Sequence, residues 1–399
     1  MIRRLRLVSD EDWRAELDLV QADPACRERV AARASVTVFK AGPLRAPAAN
    51  ILKQCMLAAG ADAIVARGCI DASVETSMAI VFGTPRQLRL AAASLAGQPF
   101  GLPGLGEELL RLLEPVRRPR DLVLRSGTLS FSNGPAVMGI LNVTPDSFSD
   151  GGRYLDPAAA VDRALEMKSQ GAAIVDVGAE STRPGSLRAP SAVQRERLVP
   201  VIRGIRRQDA GLPLSVDTSD PETAAAVIAE GVDMINDIAA LSEPGMPEVA
   251  ASTETPVVLM HMKGTPRDMQ IAPEYLDVMG EVLSFLEKRI EAACSAGIRR
   301  ELILVDPGIG FGKRQVDNLA LVRRLGELRC LGLPVLLGHS RKSFLGNAAG
   351  EVEPLRRDPA TAVISALAAN DADILRVHDV PGTVQAVKVA MALNGGPPG

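Results

Sequence analysis

Short apolar runs rich in β-branched residues alternate with longer segments of helical period from residue 137 onward. Because strands and helices space their apolar positions differently, this alternation predicts βα units around a parallel sheet. The predicted strands are Val137–Asn142, Ala173–Val177, Leu212–Asp217, Asp233–Asn236, Pro256–His261, Leu302–Asp306, Pro334–Gly338 and Asp373–Val377. Helical spacing is clearest over Asp156–Gln170, Pro221–Glu230, Tyr275–Ala296 and Pro359–Asn370. Eight units over residues 137–399 predict an α/β protein with a (β/α)8 TIM barrel, with a doubly wound open sheet as the alternative.

Each predicted strand runs into polar residues at its C-terminal end. These residues are Asn142, Asp176 with Glu180, Asp217, Asn236 with Asp237, His261, Asp306, Ser340 with Arg341 and Lys342, and Arg376 with His378. In a (β/α)8 barrel all of these ends lie on one face, which carries the active site in enzymes of this fold. One aspartate after a strand is often only a helix cap. A whole rim of polar ends favours a functional site.

The first 117 residues predict a small, separate α/β domain of unknown role. Its predicted strands are Val36–Phe39 and Ser77–Phe82, and its predicted helices are Pro47–Ala59 and Pro85–Ala96. Residues 118–136 are assigned to a linker and a hairpin over Leu122–Pro135. We expect the hairpin to plug the N-terminal mouth of a catalytic barrel formed by residues 137–399.

Composition and charge narrow the class of protein. Hydrophobic residues make up 47% and charged residues 23% of the chain, which is typical of globular proteins. The net charge of −3 does not favour a nucleic-acid-binding surface. No run reaches the ~18–20 apolar residues that a membrane span needs. The five cysteines are scattered and form no CxxC pair, as expected of reduced thiols. We therefore expect a cytoplasmic protein that binds neither nucleic acid nor membrane.

Three loops contain the residue types of a binding site. The string MGILNVTPDSFSDGG, residues 138–152, begins as a buried strand and ends in a glycine-closed loop of hydroxyl and carboxyl groups. GAESTRPG, residues 178–185, offers Thr182 and Arg183, and arginine can give a phosphate two parallel charged hydrogen bonds. DPGIGFGK, residues 306–313, has glycines that let the backbone approach a ligand, and an aromatic Phe311. It lacks the GxxxxGK[ST] spacing of a nucleotide-binding loop.

Basic residues follow the last two predicted strands, where this fold commonly binds phosphate. Arg341 and Lys342 lie within GHSRKSFLG, residues 338–346. Arg376 and His378 are two apart, so on a strand both side chains face the same way. The three histidines form no zinc-ligand pattern, and no nucleophilic triad is evident. These residues favour binding a heterocycle and stabilising a departing phosphate group.

Together with SVDT, IND, MHMKGTP and RVHDV, these motifs occur in the order and spacing of dihydropteroate synthase, which the chain resembles over about residues 122–395. The resemblance implies a transferase of folate biosynthesis and a sulfonamide target. This enzyme joins 6-hydroxymethyl-7,8-dihydropterin diphosphate to 4-aminobenzoate and releases diphosphate. The resemblance also implies Mg²⁺ as cofactor and a homodimer formed through barrel helices. The N-terminal region resembles an extension found in a subset of the family.

The resemblance implies three groups of site residues. The pterin is expected to contact Asp217, Asn236, Asp306 and Lys342. The diphosphate is expected to contact Thr182, Asn142, Arg376 and His378, with Asn142 also a Mg²⁺ ligand. The aminobenzoate is expected to contact Phe148, Arg183, Pro184, Phe311, Ser340 and Lys342. The expected catalytic residues, which would stabilise the departing diphosphate, are Arg183, Lys342, Arg376 and His378.

The chain also departs from common family patterns at Arg314, at His339 and at Pro359-Ala360-Thr361. His339 is the nearest of these to the expected site, so we expect it to affect the shape of the aminobenzoate pocket and the response to sulfonamides.

Two alternative functions are a pterin-dependent corrinoid methyltransferase and a catalytically silent pterin-binding regulator. The first does not need the basic residues that follow strands seven and eight. The second is expected to have lost loop residues such as Asn142, Arg183 and Lys342, which are present here.

Overall fold

The computed structural model describes residues 16–21, 35–114, 119–144, 156–180, 189–265, 267–351 and 353–394. The chain divides into two compact units, residues 1–117 and residues 118–399. Within the described ranges, no helix is both long enough and apolar enough to cross a membrane.

The first unit contains a three-stranded antiparallel sheet that packs with three helices. The strand order is β1 (Thr37–Arg45), β3 (Thr76–Gly83) and β2 (Asp62–Val65). The helices are α1 (Ala46–Ala58), α2 (Pro85–Leu95) and α3 (Leu102–Leu113). Their apolar faces form one core that includes Leu52, Met56, Val81, Leu88 and Leu95.

The sequence pattern predicted β1, β3, α1 and α2 but missed β2 and α3. Strand β2 has only four residues, and α3 begins with Leu-Pro-Gly-Leu-Gly, which is typical of a turn. Gly106 has a packing role instead. A Cβ on Gly106 would lie 2.9 Å from the carbonyl oxygen of Ala92, so a glycine is needed where α3 crosses α2.

The second unit is a closed barrel of eight parallel strands in the order β11-β10-β9-β8-β7-β6-β13-β12. The strands are β6 (Ala136–Asn142), β7 (Ile174–Gly178), β8 (Leu214–Asp217), β9 (Met234–Asp237), β10 (Val257–Met260), β11 (Ile303–Asp306), β12 (Leu336–Gly338) and β13 (Ile374–Val377). A parallel bridge between Val305 and Val335 joins the two ends of this order. The predicted barrel is confirmed, each strand lies within two residues of its predicted bounds, and the open sheet is wrong.

Nine helices of the described residues surround the barrel. They are α4 (Pro157–Ser169), α5 (Ser191–Gln208), α6 (Pro221–Ala229), α7 (Met246–Thr253), α8 (Val278–Ser295), α9 (Gln315–Arg323), α10 (Ser343–Ala349), α11 (Asp358–Leu367) and α12 (Val380–Leu393). Aspartates cap several of them, including Asp220 before α6 and Asp379 before α12. These two carboxylates are therefore used by the backbone of the following helix.

The N-terminal end of the barrel is filled by apolar side chains. A hairpin of β4 (Leu122–Leu124) and β5 (Gly127–Leu129) precedes the barrel. Its apolar residues and Phe131 form one buried cluster with strand residues Met138, Ile174, Met234, Val258, Leu304, Leu336 and Ile374. This end of the barrel is therefore a packed apolar core.

The inward positions change from apolar to polar two residues further along four strands. Ile174 is followed by Asp176, Met234 by Asn236, Leu304 by Asp306 and Ile374 by Arg376. Because alternate residues of a strand face the same side, each pair points into the barrel. We call the upper set, with Asp217 of β8, the polar layer. It lies at the C-terminal ends of the strands.

Candidate active site

Arg376 lies between two carboxylates of the polar layer. Its Nε donates to Asp176 Oδ2 at 2.6 Å, and its Nη2 donates to Asp217 Oδ2 at 2.6 Å. Asn236 Nδ2 donates to the same oxygen of Asp176 at 3.0 Å. These side chains come from β7, β8, β9 and β13, so strands on one side of the barrel contribute to one hydrogen-bonded group.

Burial raises the pKa of two carboxyl groups of this layer, those of Asp217 and Asp306. Burial raises the pKa of Asp217 to about 7, although Arg376 opposes the shift, and the charge of Asp176 adds to it. Burial likewise raises the pKa of Asp306, with Lys342 as the main opposing charge. Buried carboxyls with raised pKa values at the open end of a barrel are typical of binding and catalytic sites.

Lys342 completes the layer from the loop after β12. Its ammonium group donates to the carbonyl oxygen of Ile309 and lies 4.5 Å from the centre of the Phe311 ring. Burial lowers the pKa of Lys342 to about 8, and Asp306 opposes this change. The lysine therefore places a cation beside an aromatic face that could bind a ring.

Gly338 leaves space between the charged groups. A Cβ on this residue would lie 3.5 Å from Asp306 Oδ2 and 4.0 Å from both Lys342 Nζ and Arg376 Cδ. Gly178 has the same relation to the other side of the layer. A Cβ there would lie 3.5 Å from Asp217 Cβ and 3.6 Å from Asn142 Oδ1. The two glycines keep side chains out of the region on which the polar groups converge.

The glycine-rich loop after β11 is held close to the neighbouring strand. Gly308 and Gly312 have positive φ angles, and a Cβ would lie 1.8 Å from His261 O or 2.1 Å from Lys263 O, respectively. Lys313 is buried beneath the loop, where its Nζ bonds to His261 Nδ1 at 2.9 Å, Gly308 O at 2.8 Å and Phe311 O at 3.0 Å. Burial lowers the pKa of Lys313 well below its usual range. Lys313 thus fixes the loop that carries Phe311.

His378 and Ser340 are joined at the basic side of the rim. His378 Nδ1 lies 2.9 Å from Ser340 Oγ, and the His378 backbone N–H donates to the same hydroxyl at 3.2 Å. The adjoining cavity measures about 80 Å³ and is lined in part by Asn142, Arg163, Arg341 and His378. The structure therefore brings Asn142 and His378 together, and places Ser340 beside them.

Four predicted site residues, Phe148, Thr182, Arg183 and Pro184, lie outside the described residues. The other nine are described, and the direct interactions among them include Asp217 with Arg376, Lys342 with Phe311, and Ser340 with His378. Among the described residues, no group of three or more His, Cys, Asp and Glu side chains could hold a metal ion.

Two polar strand ends face away from the polar layer. His339 is fully buried against α11, where its Nε2 lies 3.1 Å from Thr361 O and 3.0 Å from Ser365 Oγ. His339 therefore packs behind the strand and does not line the polar layer, and its effect on the aminobenzoate pocket stays a prediction. Asp237 accepts from the backbone N–H groups of Ala239 and Leu241, so it orders its own loop.

The sequence interpretation gave no role to Asp176 and Lys313. Asp176 was one polar strand end among several, and only its period-two relation to Ile174 indicates that it faces the barrel interior. Lys313 had no signal of its own, since a lysine in a loop is usually exposed to solvent.

Comparisons with known proteins agree with this geometry. A family profile described as pterin binding enzyme matches residues 138–378. Dihydropteroate synthase of Escherichia coli strain K12 is 47% identical over 268 residues, which cover 67% of this chain and 94% of that protein. A probable bifunctional folylpolyglutamate synthase/dihydropteroate synthase of Haloferax volcanii is 37% identical over 393 residues, covering 96% of this chain and 46% of that protein.

Solved structures show the same barrel. Dihydropteroate synthase of Xanthomonas albilineans with 4-aminobenzoic acid superposes with a TM-score of 0.65 at 45% identity. The match covers 70% of this chain and 100% of that one. Similarity at this level extends to the residues of the barrel as well as to its topology.

Proposed function

Because this chain belongs to the dihydropteroate synthases within the pterin-binding enzymes, we propose that its polar layer binds and activates the pterin substrate. The enzyme condenses 6-hydroxymethyl-7,8-dihydropterin diphosphate with 4-aminobenzoate to give 7,8-dihydropteroate and diphosphate. The residue assignment rests on two observations: Asp306, Lys342 and Arg376 converge around Gly338, and Arg376 forms one hydrogen-bonded group with Asp217, Asp176 and Asn236.

Asp306 and Asp217 suit the donor edge of a pterin. This edge presents an amino group and a ring N–H side by side, and a carboxylate can accept both. Asn236 can complete the contact, because an amide both donates and accepts. Lys342 supplies the remaining cation near the ring. Burial raises the pKa of both carboxyl groups, and the N–H donors of a bound pterin would favour their ionised forms through hydrogen bonds.

The basic side of the rim suits the diphosphate. The residues at this side are Arg376, His378 and Asn142. The proposal adds Thr182 of the GAESTRPG motif. Mg²⁺ fits here, since Asn142 offers one oxygen and substrate oxygens and water are its usual further ligands. When bound, Mg²⁺ would neutralise charge on the diphosphate. Arg376 and His378 would hydrogen-bond the diphosphate as its negative charge increases during C–O cleavage.

The reaction proceeds by departure of the diphosphate before the new bond is complete. The C–O bond breaks and its electron pair leaves with diphosphate, while the pterin ring delocalises the positive charge. The amino nitrogen of 4-aminobenzoate attacks the exposed methylene carbon and then loses one proton. This nitrogen is already neutral at pH 7, so no strong general base is required.

The aminobenzoate is proposed to lie beside Phe311 and Lys342. The ring of Phe311 and the ammonium group 4.5 Å away offer an apolar face and a charge for the carboxylate end of the substrate. Ser340, Phe148, Arg183 and Pro184 complete this pocket in the proposal. Lys342 would thus contact both substrates, which makes it the residue that links the two binding sites.

We also propose that the enzyme is a cytoplasmic homodimer that associates through barrel helices. Neighbouring helices α11 and α12 expose apolar side chains at Val363, Leu367, Val389 and Leu393, which are 58–83% exposed in the single chain. A second copy could cover this apolar surface. Scattered cysteines suit a reducing compartment.

The testing experiment is product formation by the purified chain from dihydropterin diphosphate and 4-aminobenzoate, followed by mass spectrometry. We expect dihydropteroate in the presence of Mg²⁺ and its loss on addition of a chelator, with recovery when Mg²⁺ is restored. Tight pterin binding without product would instead support a silent regulator. Product that persists in chelator would reject the metal and leave the synthase function intact.

A further inference from the structure

Asp176 is a fully buried carboxylate at the centre of the polar layer. Its Oδ2 accepts two hydrogen bonds, from Asn236 Nδ2 at 3.0 Å and from Arg376 Nε at 2.6 Å. Its other oxygen has no hydrogen-bond partner among the described residues. A buried charge of this kind is costly unless it is paired, so its two partners are the reason it is tolerated.

The contact with Asn236 fixes which end of the amide faces the ligand. An ionised carboxylate can only accept, so the NH2 group of Asn236 must point at Asp176. The carbonyl oxygen of Asn236 then remains as its acceptor for an N–H donor of a heterocycle. Without Asp176 the side-chain amide of Asn236 could flip. Its NH2 group would then face the N–H donor of the ligand, and no hydrogen bond could form.

The contact with Arg376 fixes the direction of the guanidinium fork. Arginine has several rotatable bonds, so ordering its side chain costs conformational entropy. Nε is anchored to Asp176 while Nη2 is anchored to Asp217, so two carboxylates hold the planar group from different sides. This arrangement orders the arginine before substrate arrives.

We propose that Asp176 is a positioning residue that orders Asn236 for the pterin and Arg376 for the diphosphate. The inference rests on the proposed function of these two residues and adds a single side chain that serves both halves of one substrate. Asp176 does not itself need to touch the reacting atoms.

The variant Asp176→Asn tests the proposal, because it keeps the side-chain size and removes the charge. The amide oxygen can still accept at the place of Oδ2, but it carries no charge, so the ion pair with Arg376 Nε is lost and both contacts become weaker. Loss of a charged hydrogen bond is typically worth about tenfold or more in affinity. We therefore expect kcat/KM for dihydropterin diphosphate to fall at least tenfold, while KM for 4-aminobenzoate changes less than twofold.

A matched control is Asp373→Asn. Asp373 is also fully buried and its Oδ2 accepts from Arg329 and from the Val335 backbone, but it lies at the start of β13, away from the polar layer. This variant should lower the melting temperature and leave both KM values unchanged. The comparison separates loss of a buried ion pair from loss of a positioning contact.

Two ligands test the effect of Asp176 on Asn236 and its effect on Arg376 separately. Calorimetric titration with 6-hydroxymethylpterin reports on the effect on Asn236, and titration with inorganic diphosphate and Mg²⁺ reports on the effect on Arg376. We expect Asp176→Asn to weaken both. In an Asn236→Ala background the further loss of pterin affinity should nearly vanish, because the residue through which Asp176 acts is gone.

Unchanged affinity for both probes in a folded Asp176→Asn protein would overturn the inference. If that variant does not accumulate in folded form, Asp176→Glu keeps the charge but displaces the carboxylate, and the same losses are expected. Wild-type protein that forms no dihydropteroate would count against the proposed function instead, so the two failures are distinguishable.

Discussion

Lys342 Nζ lies 4.5 Å from the centre of the Phe311 ring and donates to the carbonyl oxygen of Ile309. The lysine follows β12, whereas the ring and the carbonyl belong to the glycine-rich loop after β11. One side chain therefore connects the last basic loop to the aromatic wall of the site. Asp306 is the group of opposite charge that interacts with the Lys342 ammonium within the proposed pterin region.

The variant Lys342→Ala is expected to lower turnover at least ~10²-fold, because it removes a positioned cation from the site of charge development. Arg376→Ala should have an effect of the same size for the same reason. Steady-state rates of dihydropteroate formation provide the measurement. Arg203→Ala is the control, since Arg203 forms an exposed ion pair with Glu230 on the outer helix α5 and should retain normal turnover. Near-normal activity of either site variant would remove that residue from the mechanism.

The raised pKa of Asp217 predicts a pH-dependent affinity for the pterin ring. With a pKa of about 7, this carboxyl is largely protonated at pH 6 and ionised at pH 8. The ionised form accepts two N–H donors, so affinity for 6-hydroxymethylpterin should rise as pH increases through about 7. This ligand has no phosphate that titrates in the same range. Calorimetric titrations at a series of pH values give the result, and a flat profile would contradict it.

The same proton affects stability. The folded pKa of Asp217 lies above its ordinary value of 3.8, so the folded chain binds the proton more tightly than the unfolded chain. The resulting stabilisation is fully present below about pH 4 and is lost as pH rises through about 7. Between these values the free energy of unfolding of the wild type should fall relative to that of Asp217→Asn, by at most about 1.4 kcal/mol per pH unit. Urea denaturation of both proteins at pH 5, 6 and 7 measures the difference.

Gly338→Ala is expected to block the pterin site without unfolding the chain. The added Cβ would meet Asp306 Oδ2 at 3.5 Å and Lys342 Nζ at 4.0 Å, which are ordinary contact distances, so the fold can accept it. The methyl group would nevertheless occupy the space onto which the polar groups converge. We expect KM for dihydropterin diphosphate to rise at least about tenfold, with little change in melting temperature.

Gly104→Ala in α3 is a control for the backbone effect of a glycine substitution, because nothing lies within 4 Å of its added Cβ. This variant should have normal kinetics. An unchanged KM in Gly338→Ala would show that the substrate does not enter the space above Gly338.

The sequence predicted the barrel because its strands are apolar, short and regularly spaced. It also predicted most of the polar rim, since strand ends are visible as a change from apolar to polar residues. It did not reveal which polar residues face inward. Asn236 faces the site and Asp237 faces its own loop, although the two are adjacent, because strand alternation sends them to opposite sides. The orientation of His339 depends on the same alternation, and the burial of Lys313 depends on a neighbouring strand far along the chain.

Lys313→Met is expected to destabilise the glycine-rich loop. The substitution keeps an unbranched side chain but leaves Phe311 O without its ammonium donor, while Gly308 O keeps the backbone N–H of Phe311 as a donor. A buried carbonyl left unpaired costs about 1–3 kcal/mol, so we expect a loss of that size in the free energy of unfolding. Because the loop carries Phe311, KM for 4-aminobenzoate should rise as well.

Urea denaturation and steady-state kinetics measure these two effects. Lys168→Met is the control, because Lys168 forms a partly exposed ion pair with Asp209 on the outside of the barrel. Removing such a pair usually costs less than about 1 kcal/mol. Equal stability losses in the two variants would mean that Lys313 has no special role in holding the loop.

Residues 118–399 alone are expected to fold and to form dihydropteroate at close to the rate of the full chain. They constitute one compact unit with its own core, and a compact unit of this size can usually fold independently. The Xanthomonas albilineans enzyme is matched over its full length by 70% of this chain, so a dihydropteroate synthase need not contain a counterpart of the first unit. Circular dichroism establishes whether the truncated protein is folded, and parallel assays compare its kcat and both KM values with those of the full chain. A folded but inactive truncation would show that residues 1–117 are required for catalysis, and would direct attention to that unit as part of the catalytic apparatus.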